Sequence, residues 1–472
     1  MRGPFPPFFA WRILLNGLTP IEVIDDGVFP MTAEKKGFDR RTFLSALGAA
    51  GLLGTMKSVG GAVRADEPAA GNPSAEAAAA NPFGGAAASY PVLQNPGLRG
   101  MSVVWAVRPE PGKLATGWVE WGRDEKLGQT SRRAEFGLNQ LSETFLSARI
   151  DGLEPGTAYC YRTATCQVLF ENAYNITTEE PVYSPIYRFR TPSRRAATEK
   201  FAVINDTHEV QDTLKALMER IEEVDPQQVI WNGDLLNSFV EPKQAVDSIF
   251  CPQYGPFAAG RPLLFNNGNH DHRGIWARGK SDALLPWRHK GIFGDLGRNF
   301  VLRNGPVAII GMDTGEDKPD ANPVFSGLAN FEPYRQRQAA WLSQVLKTKL
   351  VRSAPYIIVV CHIPLFDDRP GANPGDIMEN FASWQRPSAR MWDPFMEDAG
   401  VQLVIAAHEH AFRFDPATES RCWAQVVGGG PELEQNTTIM IGEADSKSLK
   451  LTVEKMSDHS VLGQWEFAPR RV

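Results

Sequence analysis

The chain has 472 residues, 43% of them hydrophobic, and a formal net charge of -6. That length and apolar content suffice for two domains with real cores, and the acid excess argues against a nucleic-acid or anionic-membrane surface. Five cysteines are too few for a disulfide scaffold. Residues 1–65 read as a leader. Asp39-Arg40-Arg41-Thr42-Phe43-Leu44 is a twin-arginine pattern, residues 46–54 form a short, weakly apolar segment, and Val63-Arg64-Ala65 suits a signal peptidase. Export to the periplasm or the cell exterior is expected, with the twin-arginine machinery as partner of the precursor. The apolar segment is too short for a stable membrane span. Residues 1–30 sit badly in front of such a signal, and Met31 makes an ordinary start; the leading segment is expected to be a mis-assigned start or a non-structural extension. Residues 66–89, rich in Ala, Pro, Gly and Asn, are expected to be a disordered linker.

Residues 90–193 carry short strand-like runs at 101–107, 116–121, 143–150, 158–164 and 186–190. Turn signals separate them, notably Gly152-Leu153-Glu154-Pro155-Gly156-Thr157. The alternation and spacing predict an antiparallel sandwich. Cys160 and Cys166 fall in one predicted strand, where they would lie roughly 20 Å apart against the ~4–7 Å Cα separation of a disulfide. Free thiols or other partners are expected. The sandwich either shapes one rim of a site or acts as a spacer.

From residue 198 to 472 the pattern changes. Phe201-Ala-Val-Ile-Asn205 is a buried-strand run that ends in Asp206-Thr207-His208. Asp206 and His208 are two apart, so their side chains can point the same way, and a carboxylate converging with an imidazole begins a metal site. Four later apolar runs end alike: 228–231 in Gly233-Asp234, 262–265 in Gly268-Asn269-His270-Asp271, 356–361 in His362, and 401–406 in Ala407-His408-Glu409-His410. Helical spacing appears at 210–224 (Leu214, Leu217, Met218, Ile221), near 242–250, at 336–350 and at 387–399. The β-α-β-α alternation predicts a mostly parallel core. The tail returns to strands at 426–427, 438–441, 449–453 and 463–467. Ligands collect outside the carboxyl ends of such strands, so five polar strand ends can face one crevice. Imidazole, carboxylate and amide oxygen together suit Fe, Mn or Zn.

The ordered set Asp206-x-His208, Gly233-Asp234-x-x-Asn237, Gly268-Asn269-His270-Asp271, His362 and His408-x-His410 resembles the calcineurin-like metallophosphoesterase superfamily. Residues 90–193, with the corner 153–162, resemble the fibronectin type III-like N-terminal domain of purple acid phosphatases. The resemblance implies an α/β fold, a four-layer α-β-β-α sandwich preceded by an all-β sandwich. It implies two metal ions: Asp206, His208, Asp234 and His410 on the first, and Asp234, Asn269, His362 and His408 on the second. A hydroxide between the metals would be the nucleophile toward a small-molecule phosphate ester. His270 is implied as proton donor, with Asp271 fixing its tautomer; Asn237 is expected to support the ligand shell and, with Asn269 and Arg273, to lie near the phosphate. Two positions depart from the family pattern. Asn237 stands where purple enzymes carry the tyrosinate that colours their iron, so this protein is expected not to be purple. Ala407 replaces a usual glycine but leaves both histidines in place.

Five of the eight histidines fall in these motifs; His272, His289 and His459 lie outside them. Cys361 reads as a buried structural thiol. Two insertions, 272–299 with Arg273, Arg278, Lys280, Arg288 and Lys290, and 365–392 with Asp367, Asp368, Arg369, Asp376, Trp384 and Trp392, are expected to wall the pocket. The tryptophans either stack on substrate or pack in the core. The leading expectation is an exported phosphatase or phosphodiesterase. The rivals are a cyclic-nucleotide or glycerophosphodiester-type phosphodiesterase and, from another class, a surface binding protein whose metal site is a relic.

Overall fold

The structure, a computed structural model, describes residues 82–250, 254–279, 281, 284, 296–366 and 382–471, with side chains from 388 onward in the last stretch. The leader and the earlier part of the expected linker lie outside these residues, as do Lys280, Arg288, His289, Lys290, Asp367, Asp368, Arg369, Asp376 and the side chain of Trp384. No helix among the described residues is long and apolar enough to cross a membrane.

The chain enters with β1 (Val92–Gly97), β2 (Gly100–Ala106) and β3 (Leu114–Gly122). Short strands follow: β4 (Gln129–Ser131), β5 (Ala134–Glu135) and β6 (Leu138–Asn139). Then come β7 (Phe145–Asp151), the long β8 (Ala158–Asn172), β9 (Asn175–Thr178), β10 (Val182–Tyr183) and β11 (Tyr187–Arg190). One sheet is β10-β8-β3-β4, with β9 and β11 also on β8. It faces β1, β2 and β7 across a core that includes Met101, Trp105, Ile150, Val119, Tyr161 and Phe189. Cys160 and Cys166 are buried free thiols on the single strand β8. The expected linker ends earlier than its composition implies. Ala86 is buried, the Ala88 amide donates to the Ala106 carbonyl at 3.0 Å, and Arg108 N donates to Ala86 O at 2.8 Å. Small alanines fit there because they pack flat against a strand edge without losing side-chain entropy.

The second part runs β12 (Glu199–Ile204), α1 (Gln211–Val224), β13 (Gln228–Asn232), α2 (Pro242–Ser248), β14 (Leu263–Asn266), β15 (Phe300–Asn304) and β16 (Val307–Met312). It continues through α3 (Phe331–Val345), α4 (Lys349–Arg352), β17 (Tyr356–Cys361), α5 (Ala382–Ala399), β18 (Leu403–Ala406), β19 (Arg413–Asp415) and β20 (Ala424–Val427). It closes with β21 (Thr438–Ala444), β22 (Leu449–Lys455) and β23 (Val461–Phe467). Two mixed sheets result. One is β15-β16-β17-β18-β20-β19; the other is β23-β22-β21-β12-β13-β14-β1-β2-β7.

The nine-stranded sheet crosses the boundary expected near residue 193. β1 pairs in parallel with β14 through Gln94 and Leu263, Leu93 N donates to Ala258 O at 2.9 Å, and Gln94 Nε2 donates to Leu284 O at 3.1 Å. Alternation along 101–107 reveals a strand but not its partner sheet, so this continuity is invisible in sequence. One apolar cluster joins Val104 and Phe145 to β12–β14, α1 and the inner residues of β17 and β18. A second packs the other side of β16–β18 against Trp341, Leu342, Trp392 and Met396 of α3 and α5. Trp392 is therefore core. Phe201, Trp231 and Phe265 are buried in the first cluster; each such side chain stabilises by about 1.5–3 kcal/mol. They fix the strands whose carboxyl ends build the site.

Candidate metal centre

β12, β13 and β14 run parallel in register, with Ile204 beside Trp231 and Trp231 beside Phe265. β17 and β18 run parallel in the facing sheet, with Val360 beside Ile405. All five carboxyl ends open toward one crevice. Backbone bonds knit the loops: Asp206 N to Gly233 O at 3.0 Å, His208 N to Asp234 O at 3.1 Å and Ala407 N to His362 O at 2.8 Å. Asn232 joins the sheets by donating Nδ2 to Cys361 O at 3.0 Å.

The loops turn sharply. Asp206, His208, Asp234, His408 and His410 all have positive φ, between 45° and 74°. Side-chain residues enter this region at a cost and cluster at sites where their direction matters. Two glycines make the turns possible. A Cβ on Gly233, at φ 86°, would strike the His362 ring and the Gly268 backbone, and one on Gly268 would strike Asp234.

Ligand atoms of Asp206, His208, Asp234 and His410 lie within 4.8 Å of one another, and so do those of Asp234, His362 and His408. These are the sequence-derived sets, with Asp234 common to both. His208 Nε2 is 3.1 Å from His410 Nε2 and 3.6 Å from Asp234 Oδ2. His410 Nε2 is 3.4 Å from Asp206 Oδ1, and His362 Nε2 is 3.1 Å from Asp234 Oδ2. Asn269 joins the second set, its Oδ1 2.9 Å from His408 Nδ1. The outer atoms are held. His362 Nδ1 donates to Asn232 O at 2.8 Å, which turns Nε2 inward. Asp206 Oδ2 accepts from Asn205 Nδ2 at 2.8 Å and from His408 N at 2.9 Å. Its Oδ1, like Nε2 of His362, is buried without a hydrogen bond. Buried polar atoms left so are costly unless something binds them.

Charge points the same way. Burial opposes charge on His362, but the carboxylates of Asp234 and Asp206 outweigh it and lift its pKa to about 10. Burial acts to raise Asp234, yet His362, His270 and His208 hold it well below the usual carboxylate range. His408 is pushed down to about 4, by burial and then by His362, and so stays neutral, the form that ligates a metal. The donor set therefore fits cations beside Asp234.

His270 N donates to Asp234 Oδ1 at 2.9 Å, and Nδ1 lies 2.8 Å from Asn237 O. The expected role of Asp271 is corrected here. Its Oδ2 accepts from Gly268 N at 2.8 Å, and burial followed by the Asp234 charge raises its pKa to about 7. Asp271 braces the Gly268 turn, while the Asn237 carbonyl orients the His270 ring. Asp271 follows His270 in sequence, but the 3-10 turn at His270–His272 sends their side chains apart. Asn237 Oδ1 pairs with His208 Nδ1 at 3.2 Å and Nδ2 donates to His208 O at 3.2 Å, so its amide holds His208, the supporting place expected of it.

Arg273 reaches His270, with Nη1 2.8 Å from Nε2. Glu316 grips its other side, Oε1 2.7 Å from Nε, and Asp317 stands 3.7 Å from Nη2. His272 Nε2 is 2.7 Å from Asp313 Oδ1. Sequence reading missed Asp313, Glu316 and Asp317. The signal was present, because 307–312 is a sixth apolar run that closes in Asp313.

Residues 199–412 match the family model described as calcineurin-like phosphoesterase. A purple acid phosphatase from yellow lupin (Lupinus luteus) seeds superposes with a TM-score of 0.57 at 15% identity, covering 80% of this chain and 74% of that one. A structure of PhoD gives 0.54 at 13% identity, covering 80% and 88%. At these identities the likeness is one of fold. Through residues 199–412 the chain carries a calcineurin-like phosphoesterase domain and is a metallophosphoesterase, a phosphoric ester hydrolase.

Proposed function

We propose that this enzyme hydrolyses small-molecule phosphate esters with a pair of metal ions. The observation that carries the reading is the pair of ligand sets meeting at Asp234. Asp206, His208, Asp234 and His410 would hold one ion; Asp234, Asn269, His362 and His408 would hold the other. Two cations bound there would lower the pKa of a water and screen the phosphate oxygens. Asp234 is suited to bridge because two cations repel at close range unless an anion lies between them.

The chain's own groups do the rest. Arg273 is positioned to take a phosphate oxygen, since Glu316 and Asp317 hold it at the mouth. A phosphate that engages this guanidinium leaves Nε2 of His270 facing the leaving oxygen, where the imidazole can carry the proton. With Asn237 turned onto His208, no phenolate replaces it, which supports a colourless enzyme. The two core clusters on either side of β16–β18 support the α-β-β-α layering, and the facing sheets before residue 193 support the fibronectin III-like reading. The twin-arginine pattern supports export.

The test is elemental analysis of the protein from residue 66 onward, paired with hydrolysis of p-nitrophenyl and bis-p-nitrophenyl phosphate. About two metals per chain with turnover is expected, and the ratio of the two rates distinguishes monoester from diester chemistry. No metal uptake from Mn, Fe and Zn would move the assignment to the binding-protein rival.

A further inference from the structure

A cleft of about 840 Å³ opens beside the centre, with Arg273 as the shared wall. On one side Arg273 touches His270; on the other it lines the cleft with Arg278, Phe331, Tyr334 and Arg337. We propose that this cleft is the leaving-group subsite, and that it selects an aromatic leaving group bearing a second negative charge. The proposal rests on the phosphate-ester reading above.

Position comes first. His270 faces the leaving oxygen in that reading, and Arg273 follows it by one turn of backbone. A group departing past His270 therefore enters this cleft. Composition comes second. Phe331 sits tilted against Phe325 and edge-on to His272, with ring centroids 6.3 and 5.3 Å away. Val324 and Leu328 line the same wall and are 68% and 66% exposed. Large apolar side chains left open in a concave wall mark a place for an apolar guest.

Charge comes third. Arg273 is neutralised by Glu316 and Asp317, and Lys318 by Asp317 at 2.7 Å. Arg278 and Arg337 make no ion pair among the described residues. Arg278 donates only a long bond to Leu328 O at 3.4 Å, and Arg337 lies 5.8 Å from the Tyr334 ring centroid. Arg337 stands one turn beyond Tyr334 on α3, so an aromatic surface and an uncompensated guanidinium face the same space. A cleft with excess positive charge concentrates anions. Arg also donates two parallel bonds to a carboxylate or phosphate and stacks on rings. The phosphate being cleaved belongs to the metals and Arg273, so these two arginines are placed for a different anion on the same molecule.

A matched pair of substrates isolates that second charge: 4-carboxyphenyl phosphate and 4-carbamoylphenyl phosphate, equal in shape. The expected ratio of kcat/KM in favour of the carboxylate is about tenfold at low salt, carried by KM, and falls as salt screens it. In Arg278→Ala/Arg337→Ala the ratio is expected to fall to about one. Both residues are exposed, and melting curves check that the variant folds. A ratio near one in the unaltered protein, or one unchanged in the variant, overturns the subsite. Calorimetric binding of 4-carboxybenzylphosphonate and 4-carbamoylbenzylphosphonate reads the same preference without turnover. Selective binding with no hydrolysis of any ester would sink the hydrolase reading and keep the subsite; equal binding would sink the subsite alone.

Discussion

Nη1 of Arg273 lies 2.8 Å from Nε2 of His270, the two residues standing one 3-10 turn apart. Glu316 and Asp317, beyond the end of β16, hold the guanidinium in that contact. The His270 imidazole and the Arg273 guanidinium thus meet beside the centre. Replacing His270 with Ala is expected to lower kcat by about 10²–10⁴-fold, the usual range for a proton-transfer group, while metal content stays unchanged. The loss should be larger for alkyl than for p-nitrophenyl leaving groups, because a poor leaving oxygen needs the proton more. Equal losses for both would assign His270 to binding only.

Asp234 and His410 separate the two halves of the centre. Asp234 belongs to both ligand sets, whereas His410 belongs to one. Asp234→Asn should therefore reduce metal content at both positions, and His410→Ala at one. Elemental analysis after dialysis at a fixed free-metal concentration reads the difference. Equal stoichiometry in the two variants would show that Asp234 does not bridge.

The candidate site was legible because its signal is local: each strand end carries its own polar residues, and the ladder brings those ends together without help from side chains. Asp206, His208, Asp234, Asn269, His362, His408 and His410 converge for that reason. What escaped depends on long-range geometry. Asp271 looked like a partner of His270 because the two are adjacent, but a tight turn separated them and gave the orienting bond to Asn237 O. Glu316 and Asp317 sit beyond the end of a sixth apolar strand, and nothing in their spacing names Arg273 as their partner. The strand at 101–107 was readable, yet its membership in the catalytic sheet rests on a single parallel register between Gln94 and Leu263. Strand periodicity carries no information about the neighbour across such a pair.

Glu199 gives the stability a pH dependence of its own. It is buried between Gln228 and Asn304, both donating to its carboxylate. Burial outweighs those bonds and lifts its pKa to about 8 from an ordinary 4.5. A raised acid binds its proton more tightly in the folded chain than in the unfolded one. Its stabilising contribution is therefore complete below pH 4.5 and is lost as pH rises through about 8. The amide in Glu199→Gln cannot ionise. The variant should match the parent near pH 5 and exceed it by a few degrees in Tm at pH 9, a difference on the order of a few kcal/mol. A constant offset between the two melting profiles across that range would show that Glu199 is ionised throughout.

The shared sheet predicts that residues 82–193 are not dispensable. Removing them uncovers the edge of β14 where Gln94 pairs with Leu263, and unpaired edges recruit other chains. It also strips Val92, Val104, Ala106 and Phe145 from the cluster that supports β12–β14, including the Phe145 ring 5.5 Å from Phe250. The Ala259 carbonyl loses the 2.8 Å bond it accepts from the Tyr161 hydroxyl as well. Val92, Val104 and Phe145 alone, at about 1.5–3 kcal/mol each, amount to a loss comparable with a whole-domain stability of about 5–15 kcal/mol. A chain beginning at residue 194 is expected to be insoluble or to melt well below the chain beginning at 82, and to bind little metal even though every proposed ligand is still present. Sedimentation velocity, melting and elemental analysis of the two chains decide it. A soluble monomer from residue 194 with full metal content would show that the phosphoesterase domain folds by itself and that the first two sheets are an appended module.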